Sequence, residues 1–225
     1  MAELPSPDAC SSSLSHYRRC LQDAKAAGYA FMRMADYVSK KDALEGTKLI
    51  VLRHDIDHFL PLAVNMAAIE NELGISATYF LRLHAAYNPF SFPNYGSIKK
   101  LQSMGHEIGL HHDGDFASLF GEDGGEFFRR DKAVLENILN SKVLGMSSHE
   151  PGKSAFLPGD DDLARLGLAY QAYSGHFTKE LKYISDSSSR WREGCMCSFI
   201  KRGVPGLCIL THPIWWYSRS PLENY

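Results

Sequence analysis

The sequence lacks the features that mark several common classes of protein. Its 24 lysine and arginine residues are balanced by 26 acidic ones, so no excess of positive charge indicates a nucleic acid partner. No apolar run approaches the ~18 residues that cross a membrane, and residues 1–7 lack the basic start and apolar stretch of a secretory signal. We therefore expect neither nucleic acid binding nor a membrane span.

The number and spacing of the cysteines do not indicate a disulfide framework. The five cysteines are an odd number, and they lie at Cys10, Cys20, Cys195, Cys197 and Cys208. One residue separates Cys195 from Cys197, whereas common metal and redox motifs have two, so this pair is a weak signal for either. We expect a reduced, cytoplasmic protein.

Markers of nucleotide binding and of domain boundaries are absent as well. The sequence contains neither the glycine-rich dinucleotide fingerprint nor a phosphate loop. No repeat, low-complexity linker or charge block divides it, so residues 1–225 are expected to form one domain. Within it, the proline- and serine-rich residues 1–13 should be poorly ordered, and residues 14–45 should form an N-terminal helical extension.

From residue 49 onward, short apolar runs alternate with longer segments of helical period. The expected strands are residues 49–52, 77–83, 106–110, 142–146, 168–172, 181–184 and 207–211. The expected helices are residues 14–27, 60–73, 95–104, 125–139 and 161–166. Helices between strands imply right-handed crossovers and a parallel sheet. About seven strands in this length predict an α/β barrel with a missing or irregular stave, with an open doubly wound sheet as the alternative.

Histidines and acids follow most of these strands. They are Asp55, Asp57, His84, His111, Asp113, His149, Asp186 and His212. The carboxyl ends of parallel strands form the active face of barrels and open α/β sheets, so these side chains should converge on one rim. Histidine together with carboxylate is a ligand set of zinc, iron and manganese hydrolases. The sequence therefore predicts a bound divalent metal.

The pair Asp55 and Asp57 is the centre of this prediction. The two residues are two apart, so on an extended strand end both side chains point the same way. One can ligate the metal while the other acts as a base toward water. A purely structural alternative is that Asp57 caps the helix beginning near His58. Asp55 has no comparable alternative.

Three motifs resemble those of the polysaccharide deacetylases, the NodB-homology group also called carbohydrate esterase family 4. The stretch LRHDID at residues 52–57 resembles the first motif, and GHEIGLH at residues 105–111 resembles the second. Thr211-His212-Pro213, on the last expected strand, resembles the final motif. The order and spacing of these motifs cover nearly the whole chain.

The resemblance implies a deformed (β/α) barrel of about seven parallel strands that hydrolyses an N-acetyl group on a sugar or sugar-containing molecule with the help of a metal. It implies that Asp55 is the general base, that Asp57 and His111 bind the metal, and that His212 protonates the leaving amine. The cofactor would be a divalent transition metal, zinc first, with iron, cobalt, manganese or nickel as alternatives. The oligomeric state stays open.

The sequence departs from the family pattern at three places. Ile56 separates two aspartates that are adjacent in the family, so their roles could be exchanged. Asp115 stands where a second metal-binding histidine is expected, and His149 stands where an arginine-proline motif is expected. The third metal ligand is therefore His149, Asp113 or Asp115. We favour His149, because it directly follows a strand and imidazole suits a transition metal.

Further residues could bind substrate or support the reacting groups. They are Arg53, His54, His84, Asp113, Asp115, Asp186 and Trp191. Two other functions fit the same sequence: a barrel that has lost catalysis and serves as a binding or assembly protein, and a hydrolase of another non-peptide C–N bond. The altered second motif is the main support for the inactive barrel.

Overall fold

The computed structural model describes residues 10–154 and 156–224. The predicted disorder of residues 1–13 falls mostly on residues 1–9, which lie outside the described residues. Residues 10–13 are placed beside the C-terminal part of the chain. Ser13 pairs with Tyr217 and begins the first helix, where its hydroxyl accepts a hydrogen bond from the backbone N–H of His16.

Strands and helices alternate along most of the described chain. The strands are β1 (Ala30–Met32), β2 (Leu49–Ile56), β3 (Thr78–Arg82), β4 (Glu107–His112), β5 (Gly145–Ser148), β6 (Tyr170–Gln171), β7 (Lys182–Ser185) and β8 (Gly206–Thr211). The helices are α1 (Leu14–Ala26), α2 (Met34–Lys40), α3 (Leu60–Glu72), α4 (Phe92–Ser103), α5 (Gly114–Leu119), α6 (Gly124–Leu139), α7 (Asp160–Leu166), α8 (Gly175–Thr178) and α9 (Met196–Lys201). None of the described helices is long and apolar enough to span a membrane.

Seven of the strands form a parallel sheet in the order β6-β5-β4-β3-β2-β8-β7. This arrangement confirms the predicted deformed α/β barrel with about seven parallel strands. The strands β6 and β7 are the two ends of the order, so the barrel is open between them. The rings of Tyr173 and Tyr183, one just after β6 and one in β7, lie 6.4 Å apart at this opening.

The strand β1 is an element that the sequence analysis missed. It pairs with residues 49–51 of β2, and β3 pairs with β2 from Arg53 onward, while β8 pairs with β2 through residues 49–54. Because β8 occupies one edge of β2, β1 and β3 share the other edge, one after the other. It was missed because three residues are too few to show the alternation that marks a strand. Residues 14–45, predicted to be a helical extension, therefore contain a strand, β1, between the helices α1 and α2.

The central strand β2 is longer than predicted. It was expected to end at Leu52, but pairing with β3 and β8 continues it to Ile56, and all eight of its residues are buried. A strand covered on both faces normally reads as a continuous apolar run. Arg53, His54 and Asp55 interrupt that run with polar groups, which therefore need partners inside the protein.

Helix α2 packs against the amino-terminal ends of β3 and β4. A cluster that includes Phe80, Tyr170 and residues of α2 fills the barrel. The ring of Tyr170 lies so close to β5 that a Cβ atom on Gly145 would approach it to 2.0 Å, so this position requires glycine. The N-terminus of α2 is fixed to the sheet, because the backbone N–H of Met34 donates to the Thr78 hydroxyl.

Candidate functional site

A cavity of about 820 Å³ opens at the carboxyl ends of the strands. Five predicted site residues line it, namely Asp55, Asp57, His111, His149 and His212. They come from β2, β4 and the residues that directly follow β2, β5 and β8. The remaining lining consists of Ser148, Glu150, Pro151, Gly152, Lys153, Tyr173, Ser187, Ser188, Arg192 and Trp215. The fold therefore brings these five predicted residues together at one rim of the barrel.

Three imidazole rings surround the carboxylate of Asp57. Nε2 of His111 lies 3.1 Å from Oδ1, Nε2 of His149 lies 3.9 Å from the same oxygen, and Nε2 of His212 lies 3.9 Å from Oδ2. The rings of His111 and His149 are perpendicular, with centroids 5.4 Å apart. Asp57 does not cap α3, whose N-cap residue is Phe59.

Each of these rings is anchored through its other nitrogen. Nδ1 of His111 lies 3.0 Å from the carbonyl oxygen of Ser147. Nδ1 of His149 lies 3.1 Å from Oδ1 of Asp113, and Nδ1 of His212 lies 2.6 Å from Oδ1 of Asp186. Because an acceptor faces each Nδ1, a neutral ring carries its proton on Nδ1. Its Nε2 then has a lone pair that faces Asp57. This is the arrangement by which partners outside the ligand shell orient metal-binding histidines.

The carboxylate of Asp57 has the properties of a cation ligand. Its Oδ1 is buried and makes no aligned hydrogen bond, although Nε2 of His111 is 3.1 Å away. Burial alone would raise the pKa of Asp57, but His111, His212 and His149 together hold that pKa at about 2. The Asp55 and Asp57 charges in turn raise the pKa of His111 against the opposing effect of burial. Asp57 is therefore ionised beside three imidazoles, and carboxylate with imidazole is a donor set that zinc and related metals use.

Asp55 lies deeper than Asp57 and is paired with a guanidinium. Its Oδ2 accepts hydrogen bonds from Arg53 at 2.8 Å and from the hydroxyl of Ser147 at 3.1 Å, while its Oδ1 is buried with no hydrogen-bond partner. Burial would raise the pKa of Asp55, but the charge of Arg53, followed by those of His111 and His212, lowers it. Asp55 is therefore ionised at neutral pH, with one oxygen free to accept a proton.

His212 is held in its protonated form by the acids around it. Burial would lower its pKa, but the hydrogen bond and charge of Asp186, with smaller contributions from Asp55 and Asp57, raise it to about 9. Asp186 is itself held by the indole N–H of Trp216, which donates to Oδ2 at 2.9 Å, and by the backbone N–H of His212. A protonated imidazole consequently faces the cavity.

The three candidates for the third metal ligand lie in different surroundings. His149 lines the cavity and points Nε2 toward Asp57. Asp113 is engaged elsewhere, because both of its oxygens accept from Nε of Arg82 at 3.0 and 2.9 Å while it also holds His149. Asp115 lies in α5 and is not part of the cavity lining.

Three other candidates lie outside the cavity. His54 points to the opposite face of β2 from Arg53 and Asp55, where its Nε2 is 2.9 Å from the buried Glu70. This position follows from the alternation of side chains along a strand. His84 stacks on both Phe116 and Phe127 and contacts Asp131 at 2.9 Å. Trp191 packs against the apolar core, and the tryptophan that contacts Asp186 is Trp216.

Sequence reasoning missed several residues that shape the site. Ser147 contacts Asp55 through its hydroxyl and His111 through its carbonyl, and the hydroxyl of Tyr173 accepts from Arg53 at 3.1 Å. Trp215 also lines the cavity. Ser147 directly precedes Ser148 and His149 at the end of β5, so its position could have been found by extending that strand.

Comparison with known proteins identifies the fold. No protein-family model matches the sequence, and no curated protein sequence matches it. Solved structures do match. The deacetylase PplD of Streptococcus pyogenes, in complex with acetate, superposes with a TM-score of 0.51 at 16% identity, covering 87% of this chain and 79% of that one. The chitin deacetylase of Colletotrichum lindemuthianum gives 0.51 at 16% identity, covering 80% of each chain.

A catalytically inactive relative matches equally well. BA3943 of Bacillus anthracis, described as a CE4 family pseudoenzyme, superposes with a TM-score of 0.50 at 14% identity, covering 80% of this chain. This chain spans 58% of that protein's length, and 57% of its mutant with restored enzymatic activity. The resemblance inferred from the motifs is thus confirmed at the level of the fold, which is the polysaccharide deacetylase barrel.

Proposed function

We propose that this chain is a single-domain, metal-dependent hydrolase that removes an N-acetyl group from a sugar or sugar-containing substrate. The observation that carries the proposal is the ring of three Nδ1-anchored histidines around the Asp57 carboxylate, at the open end of a deacetylase-type barrel. The deacetylase activity of PplD and of the fungal chitin deacetylase supports the same reading.

In this proposal Asp57, His111 and His149 hold the metal. They supply one carboxylate and two imidazoles, a set that suits zinc, with iron, cobalt, manganese and nickel as further candidates. A divalent cation there would supply Lewis-acid chemistry, polarising the acyl oxygen and making water easier to deprotonate. In the family pattern a second metal-binding histidine stands at the position of Asp115. Here His149, which directly follows β5, takes that role, with its Nε2 facing Asp57.

Asp55 is the proposed general base. Arg53 and Ser147 occupy its Oδ2, so Oδ1 is the atom that accepts the proton of the attacking water. Because the pKa of Asp55 is lowered, the carboxylate stays ionised throughout the neutral range. The hydrogen bonds from Arg53 and Ser147 also fix its orientation, which general base catalysis requires.

His212 is the proposed general acid. Its pKa of about 9 keeps it protonated, so Nε2 can donate a proton to the departing amine while Asp186 stabilises the ring through Nδ1. A cation beside Asp57 would neutralise part of the negative charge that raises this pKa, and would bring it closer to neutrality. The lone pair left on Nε2 after donation would then recover a proton from solvent.

The cavity dimensions and lining fit a sugar. A volume of about 820 Å³ exceeds the space needed for one sugar ring, and the rings of Tyr173 and Trp215 offer stacking surfaces within it. The five cysteines are free, which supports a reducing compartment, and we propose that the protein acts in the cytoplasm on a small or carrier-linked sugar.

The test is release of acetate and free amine from a panel of substrates by metal-loaded protein. The panel contains N-acetylated monosaccharides, short N-acetylated oligosaccharides and, as a control for other C–N bonds, cyclic amides. His149→Ala is expected to lose both metal binding at this site and turnover, whereas Asp115→Asn should retain both. Turnover of the cyclic amides alone would contradict the sugar substrate, and turnover by the metal-stripped protein would contradict the metal dependence.

The second candidate is a catalytically inactive barrel that binds a carbohydrate or a partner protein. It is favoured by the match to the BA3943 pseudoenzyme, whose TM-score equals those of the active deacetylases within 0.01. The two candidates separate in one experiment: an inactive barrel would release no acetate from any N-acetylated sugar with any of the metals tested.

A further inference from the structure

A second group of metal-ligand side chains lies where α1 packs against α9, and none of its members lines the cavity. Cys10, His16, Cys195 and Cys197 each bring one sulfur or nitrogen atom to within 4.8 Å of the others, and we call these four residues the Cys/His cluster. The Sγ atoms of Cys10 and Cys197 are 3.2 Å apart, and Nε2 of His16 is 3.3 Å from Sγ of Cys195.

We propose that the Cys/His cluster is a structural zinc site that ties the N-terminal segment and α1 to α9. Three thiols and one imidazole form a closed set of four protein ligands, which is the composition of structural rather than catalytic zinc sites. Soft sulfur ligands also discriminate against magnesium, calcium and manganese. Oxygen ligands are absent from the cluster, so these hard cations have nothing to bind.

The distances agree with a tetrahedral ion. Zinc about 2.3 Å from sulfur and about 2.0–2.1 Å from nitrogen places the ligand atoms roughly 3.5–3.8 Å from one another. The cluster has two contacts slightly below this range, at 3.2 and 3.3 Å, and none above 4.8 Å. Shifts of up to about half an ångström in each side chain therefore close the site around an ion.

Burial is graded across the cluster. His16 and Cys195 are buried, Cys197 is half-buried and Cys10 is exposed. An ion can thus enter from the side of Cys10 and be held against the protein by the other three residues. Cys20 is a buried neighbour, 3.4 Å from Nε2 of His16, but it does not belong to the group whose ligand atoms all lie within mutual reach.

Ligation changes the protonation of the cluster. Cysteine binds zinc as its thiolate, so each of the three thiols of the cluster gives up its proton when the ion binds. Zinc binding replaces each S–H bond with an S–Zn bond and releases the proton to solvent.

A disulfide between Cys10 and Cys197 is the competing arrangement. It would bring two sulfur atoms that are now 3.2 Å apart to the ~2.05 Å of a covalent bond, and it would consume two of the four ligands. Such a bond leaves His16 and Cys195 without a shared function. The experiment below distinguishes the two arrangements.

The test uses the full chain with the cavity disabled by Asp57→Ala and His111→Ala, purified under reducing conditions without chelator. Elemental analysis should find about one zinc per chain. Cobalt(II) put in place of zinc should show thiolate-to-metal charge-transfer absorption, and titration calorimetry in different buffers should show proton release. In the wild-type chain, zinc content should exceed that of a Cys10→Ser, Cys197→Ser chain by about one ion.

Single substitutions test the ligand set. Cys10→Ser changes an exposed residue outside the helices, and it should weaken zinc binding by more than the ~10–100-fold cost of losing an outer partner. Cys208→Ala, a buried thiol in β8, is the matched control and should keep the ion, as should Cys20→Ser. None of these readouts depends on catalytic activity, so their outcome is independent of the proposed function.

Three results would overturn the inference. The first is that the reduced protein takes up neither zinc nor cobalt. The second is that Cys10→Ser and Cys197→Ser bind zinc as tightly as the parent, or that Cys20→Ser loses the ion. The third is a Cys10–Cys197 disulfide, found by mass spectrometry in protein prepared anaerobically.

Discussion

Arg53→Met should be among the most destabilising substitutions in this protein. The Arg53 side chain is fully buried, and it donates to Asp55 at 2.8 Å, to Ser147 at 2.9 Å, to Tyr173 at 3.1 Å and to the carbonyl of Ala172 at 3.0 Å. Methionine keeps most of the side-chain volume and removes all four contacts. The carboxylate of Asp55 is then left buried without its countercharge.

The expected cost is about 3–5 kcal/mol in the free energy of unfolding, the range found when one partner of a buried ion pair is removed. That is a large share of the ~5–15 kcal/mol that stabilises a typical domain. Replacing both charges, in Arg53→Met combined with Asp55→Leu, should recover most of the loss because no buried charge remains. Arg165→Met removes an exposed ion pair with Asp162 and should change stability by no more than ~0.5 kcal/mol.

The pH dependence provides a second check on the same substitution. In the wild type the pKa of Asp55 is lowered, so its contribution is present above the unfolded pKa of about 3.9 and is lost as the pH falls. Without Arg53, burial should raise this pKa above the unfolded value, so stability should instead fall as the pH rises through it. Urea unfolding followed by circular dichroism measures both effects. A cost below ~1 kcal/mol for Arg53→Met, or a double variant no more stable than the single one, would refute the reasoning.

Two further predictions concern groups outside the cavity. Tyr17→Phe removes a buried hydroxyl that donates to the Glu70 carboxylate, and it should cost about 1.5–3 kcal/mol in urea unfolding, whereas a cost near zero would mean that Glu70 does not need this donor. His84→Gln removes the contact with Asp131, whose hydrogen bond raises the pKa of His84. The stability difference from wild type should be complete below the unfolded pKa of about 6.5 and disappear as the pH rises through the raised value; a difference that grows with pH would contradict this.

The parts of the fold that could be predicted were those specified by local pattern. Apolar runs of four or more residues, such as 49–52 and 207–211, located strands correctly, and glycines located the C-terminal ends of helices. The end of β2 could not be predicted from hydrophobicity, because Arg53, His54 and Asp55 are polar and are kept in the strand by pairing with β3 and β8. The strand β1 was missed for the related reason that its three residues form a strand only when β2 is beside them.

The candidate site also has a part that could be predicted from the sequence and a part that could not. Residues at strand ends, such as Asp57 and His111, could be assigned to one rim because parallel strands bring their carboxyl ends together. Asp55 points into the cavity and its neighbour His54 points to the opposite face of β2, as the alternation of side chains along a strand requires. Contacts between distant segments carry no signal in the sequence: nothing in Cys195 and Cys197 indicates that Cys10, 187 residues away from Cys197, lies within reach.

The central claim is that Asp57 holds a metal while Asp55 moves a proton. It is tested most directly by measuring metal content and acetate release on the same preparations of wild type and Asp55→Asn, both in a Cys10→Ser, Cys197→Ser background so that one metal site is counted. The account predicts that both proteins hold about one ion, and that Asp55→Asn is slower by about 100-fold or more. Loss of the ion from Asp55→Asn would contradict the assigned roles, and acetate release at the wild-type rate by this variant would contradict the proposed mechanism.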